Sequence, residues 1–152
     1  MSYTTAEGRE QVLGDLAVAI EQIAESLAAL GEAYEQLDEQ TADVLEEELF
    51  RPVQSAYGRA RRTYSEFVTR SNLRGRSFEQ HSPGLQSQSV QALIERAVDA
   101  AHDADQSIAE LQDSMLPVEV GDPELRAGLS QVRETLSSVP LRARTLVRTV
   151  GR

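Results

Sequence analysis

His102 stands three residues after Asp99, a spacing that puts an imidazole and a carboxylate on one face of a helix. Di-iron bundles use a carboxylate–histidine pair of this spacing twice, with further glutamates from neighbouring helices. Here it occurs once, and the helical register sets Asp99 opposite the core-facing Ala101, so the pair reads as solvated surface. The other histidine, His81, lies in a polar stretch beside Glu79 and Ser82, and a histidine near a serine makes no triad without a third, orienting group. Glu32-Ala33-Tyr34-Glu35 supplies one half of the paired carboxylate motif of all-helical nucleotide pyrophosphohydrolases, and no second half follows. The absence of cysteine excludes disulfides, thiolate metal sites and cysteine nucleophiles. No glycine-rich phosphate loop, His-x-x-x-His or zinc spacing is present. Tyr57 and Tyr64, seven residues apart, read as core aromatics rather than a cofactor pocket. These residues predict no enzymatic chemistry, no bound metal and no cofactor.

Arginine is the other residue type with recognition chemistry. All 15 basic side chains are Arg, and they are blocked along the chain. Residues 10–50 and 77–125 are acidic, whereas residues 51–76 and 126–152 carry almost all the Arg. Guanidinium groups pair bidentately with carboxylate or phosphate. Arg70, Arg74, Arg76, Arg144 and Arg148 are therefore candidates for anion or partner contact, provided the fold brings them to one tip. A net charge of −10 argues against coating of nucleic acid.

Helices must position these groups. From Leu13 to Leu37 the apolar residues step 3-4-3-4, and small residues such as Ala17, Ala24 and Gly31 flank that seam, as suits a broad bundle face. Thr4 and Glu7 fit a capping box. A second segment follows the same rhythm from Phe50 to Phe67, but Val44, Leu45 and Leu49 precede it out of register, near Pro52. Thr41 is the expected cap between the two, although a helix continuous through that turn fits as well. Residues 71–88 break the periodicity with Asn72, Gly75, Pro83 and Gly84. A third segment runs from Val90 to Met115. The fourth opens on Asp122-Pro123-Glu124, a cap, a first-turn proline and an acid, contains Pro140 and stops near Gly151.

The expectation is an all-α protein: one domain, residues 1–152, folded as a long antiparallel up-down-up-down four-helix bundle. Helices fall at about 5–37, 41–71, 87–116 and 122–150, with a loop at 72–86 and kinks at the prolines of the second and fourth. Leu16, Ile20, Ile23, Leu27, Ile94, Ile108, Leu129 and Leu136 form its core, and Tyr57, Tyr64 and Phe67 interlock with Ala97, Ala101 and Ala104. In that topology the Arg-rich ends share one tip. An 18-residue link can instead cross the bundle, which would return Arg144 and Arg148 to the acidic first turn. Leu116, Pro117, Val118 and Val120 are apolar for a turn and either fold back or form a docking patch.

No segment has the length and apolarity of a membrane span, and no signal peptide is evident. Exclusive use of Arg and a single Asn fit a GC-rich bacterial genome. The function these features favour is a cytoplasmic, non-enzymatic interaction or scaffold module that binds a protein partner or itself. A small-ligand or metal-binding bundle and an Arg-tip anion or nucleic-acid binder are the alternatives.

Overall fold

A computed structural model describes residues 5–79, 81 and 88–150. Among these residues every regular element is helical. Thr4, Ser82, Pro83, Gly84 and Gly151, singled out above, lie outside the described residues, as does residue 87, where the third helix was expected to begin.

Helix α1 (Thr5–Glu35) is followed by a turn in which Asp38, not Thr41, is the cap: its carboxylate accepts from the Thr41 N–H. Helix α2 (Glu39–Leu45) then passes through a π-turn (Glu46–Phe50) into α3 (Arg51–Ser71). The π-turn accounts for the register shift seen in the sequence. Its wider turn keeps Leu45, Leu49 and Val53, spaced by fours, on one buried face. It lies directly ahead of Pro52, which has no N–H to donate, while the Arg51 N–H reaches back to the Glu46 carbonyl. Asn72 ends α3 in the left-handed region (φ 52°), with Leu73 N–H bonded to Val68 O at 3.1 Å and Asn72 N–H to Thr69 O at 3.3 Å, a Schellman motif.

Helix α4 (Val90–Asp113) is capped by Ser89, whose hydroxyl accepts from the Ala92 N–H at 3.1 Å. One turn, α5 (Leu116–Glu119), leads to α6 (Pro123–Ser137), capped by Asp122. The helix is interrupted at Ser138, just ahead of Pro140, and continues as α7 (Val139–Val150).

The topology departs from up-down-up-down. Helix α1 packs against α3 and α4, and α6 packs against the same two, so α3 and α4 lie on a diagonal. Ser26–Ala97, Gln22–Ser107 and Gln36–Gln88 contacts make α1 and α4 antiparallel. Arg70–Asp122 and Arg142–Glu48 do the same for α3 and α6–α7. The directions are therefore up, down, down, up, and the link between α3 and α4 crosses from one end to the other, as in bundles with a single long crossover. At ~1.5 Å per residue the 31 residues of α1 span about 46 Å, within reach of that link. At its ends this connection sets Arg70 beside Asp122 and Glu124 and Arg142 beside Glu48, whereas the expected order would gather the Arg blocks at one tip.

Seven of the eight expected core residues are buried, and Leu27 is half-buried at the α1/α3 groove. Tyr34, on the same seam, is exposed beside the turn. The alanines of α4 face α1, not the aromatics of α3: the Ser26 hydroxyl donates to the Ala97 carbonyl at 2.7 Å, which requires close backbones. Tyr57 and Tyr64 line the wider α1/α3 groove instead, and the crossover lies there.

Candidate functional site

The crossover is stitched to both walls of its groove. Gly75 sits where an added Cβ would lie 2.8 Å from Val68 Cγ2 and 3.2 Å from Tyr64 Cε1, so the backbone comes closer to α3 than a side chain permits. The Arg76 N–H donates to the Tyr64 hydroxyl at 3.2 Å, and the Phe78 ring meets Tyr64 edge-on at 5.0 Å. The Arg76 guanidinium covers Phe78 at 4.6 Å and pairs with Glu21 of α1. Glu21 also takes His81 Nε2, so one carboxylate of α1 holds two points of the crossover.

Beside His81 the groove contains a cavity of about 290 Å³. One wall is a single face of α1: Ala24, Leu27, Ala28, Gly31, Glu32 and Glu35. Phe50, Gln54 and Tyr57 form the opposite wall. Tyr57 is 6 % exposed, and its hydroxyl has no hydrogen-bond partner among the described residues. The arrangement combines an apolar interior, a few polar groups and a carboxylate rim, as small-molecule sites do.

A second concave surface of about 510 Å³ lies between α4 and α7. Ile94, Val98, Pro140, Ala143 and Val147 form its floor. Glu95 and Asp99 rim it on α4, and Arg144 and Arg148 rim it on α7. Leu141, 68 % exposed, shares the i, i+3, i+7 stripe of those two arginines. Compared with known proteins, the chain matches no family model, no curated protein and no solved structure. Its sites therefore rest on geometry alone.

The five candidate arginines do not meet. Arg70 grips Asp122 through two hydrogen bonds (2.9 and 3.0 Å) and Glu124 through a third (2.9 Å) at the α5–α6 end. Burial opposes the Asp122 charge, but hydrogen bonds from Arg70 and the Leu125 N–H outweigh it and hold the carboxyl below its ordinary range. The hydrogen bonds that Arg70 donates to Asp122 in turn hold the guanidinium more firmly charged. Arg74 and Arg76 line a shallow cleft against Glu10, Glu21 and Glu25, and Arg144 and Arg148 lie at the opposite end of the bundle from Arg70. The crossing link is what separates them.

The apolar turn divides as well. Leu116 and Pro117 are buried and Val120 is partly buried against the core, leaving Val118 and neighbouring Met115 exposed. Asp99 and His102 are exposed on α4, and the described residues hold no group of three metal-ligating side chains. No helix among them is long and apolar enough to cross a membrane. Glu21, Gln54, Glu95 and the free Tyr57 hydroxyl escaped sequence reading. The one usable signal was the set of small residues on α1 facing the same way as Glu32 and Glu35.

Proposed function

We propose that the protein is a non-enzymatic interaction module that pairs with a second copy of itself through the α4/α7 groove. The observation that supports this reading is the opposition of charge across one apolar floor. Glu95 and Asp99 stand on one rim, Arg144 and Arg148 on the other, and none of the four has an ion pair among the described residues. A two-fold axis running along the groove exchanges its rims. It sets the acidic rim of one copy over the basic rim of the other, and α4 against an antiparallel α7. Such an isologous contact is self-complementary and closes at two copies. Val98, Val147 and Leu141 supply the apolar anchors, while the rims set register and association rate.

Sedimentation velocity across a concentration series tests the reading. Arg144→Glu with Arg148→Glu should weaken the dimer at least tenfold, as should Glu95→Arg with Asp99→Arg. All four changes together reverse both rims and should restore pairing. Pairing of the natural protein should also weaken with salt, because rim charges are screened. A chain that stays monomeric into the high micromolar range would assign the groove to a different amphipathic helix.

A further inference from the structure

We propose that the cavity between α1 and α3 is a binding site for a small arylalkylamine, a one-ring molecule carrying a protonated amine on a short arm. Size sets the first limit. At about 290 Å³ the cavity is roughly twice the ~150 Å³ space that accepts one benzene in a protein interior, enough for a ring and a short chain. Shape follows from the walls. Ala24, Ala28 and Gly31 leave a flat floor on α1, and Leu27, Phe50 and the Tyr57 ring give it apolar and aromatic sides.

Polarity selects the ligand class. Glu32 and Glu35 line one end, three residues apart on the same face of α1. The opposing polar groups are Gln54 and His81, and the His81 ring is already engaged by Glu21. No arginine is among the described residues that line the cavity. An ammonium group at Glu32 and Glu35 gains charge-assisted hydrogen bonds, whereas a carboxylate there meets two like charges. The Tyr57 hydroxyl is sealed from the cavity, so Tyr57 contributes its ring to the wall and leaves Glu32 and Glu35 as the charged groups that select the ligand.

The test titrates the full-length protein with phenethylamine, using 3-phenylpropionate as the anionic counterpart of similar size. Tyrosine fluorescence reports binding without interference, since the chain has no Trp. Saturable binding of the amine, at least tenfold tighter than the acid, is expected. Glu32→Gln with Glu35→Gln should reduce amine affinity at least tenfold and remove the preference. Ala28→Leu fills the floor and should abolish binding, while circular dichroism and thermal unfolding verify that the helices are retained. Equal affinity for amine and acid, undiminished binding to the Ala28→Leu protein, or no saturable binding of the amine would overturn the proposal. None of these readouts depends on the dimer, so each proposal can fail without the other.

Discussion

Helix α1 meets its two neighbours in opposite ways. Toward α4, small residues face small residues: Ser26 reaches the Ala97 carbonyl, and Ala19 and Ala33 share its buried stripe on α1 as Ala101 and Ala104 share that of Ala97 on α4. Toward α3, small residues face large ones. Ala17, Ala24 and Gly31 look across at Tyr57 and Tyr64, and the aromatic bodies hold the groove wide enough for the crossover and a cavity. One helix carries small side chains on both flanks, so the partner decides whether the interface closes. Dispersion and burial reward the closed interface, whereas the open one gains stability only where the chain itself, through Phe78 and Arg76, returns to cover it.

The largest predicted effect is a contrast along α1. Ile23→Ala should cost about 2–5 kcal/mol, because it empties a fully buried position. Leu27→Ala should cost less than half as much, since Leu27 is half-buried and already lines a cavity. Urea unfolding of the two variants measures the difference; equal losses would mean that the interfaces are equally tight.

Enlargement should run the other way. Ala97→Leu overpacks the closed interface and should destabilise by about 1–3 kcal/mol. Ala28→Leu, entering the cavity, should leave stability within about 1 kcal/mol of the natural protein. A melting comparison in which Ala28→Leu is the more damaging would invert the assignment of closed and open sides.

The fixed end of the crossover offers a pH test. Asp122 caps α6 and anchors Arg70, where α3 gives way to the link. Its carboxyl is held below the ordinary range, so its contribution is present above about pH 4 and is lost as pH falls through the folded-state value. Asp122→Asn should lower stability by about 1–2 kcal/mol at pH 7. Once pH has fallen below the folded-state value, the variant and the natural protein should converge. A gap that stays constant with pH would assign the loss to something other than charge.

Gly75→Ala should have the smallest effect, about 1 kcal/mol or less, because an exposed link can shift away from Val68 and Tyr64. Amide exchange is the sensitive measure. The Arg76 N–H, bonded to the Tyr64 hydroxyl, should exchange faster in the variant. Unchanged protection would show that the crossover does not depend on that close approach.

The sequence by itself determined the all-helical class, most of the core and the cap at Asp122, because these depend on local periodicity and on side chains within a few residues. Seven of eight expected core residues follow from a 3-4 spacing that any helix converts into a buried stripe. Even the irregular stretch before Pro52 was visible as a slip in register, although only the structure shows that a π-turn absorbs it. The tertiary structure alone decided which helices are neighbours. An 18-residue link is long enough to turn back or to cross, and nothing within it dictates the choice. The crossed arrangement brings together groups far apart in sequence: Glu21 holds Arg76 and His81, Arg70 grips Asp122, and Arg142 reaches Glu48. The same choice distributes the five candidate arginines between the two ends and faces the α4 alanines toward α1. It also leaves Leu27 and Tyr57 lining a cavity at the edge of the core. A heptad states which side of a helix is buried, but it carries no information on which partner buries it.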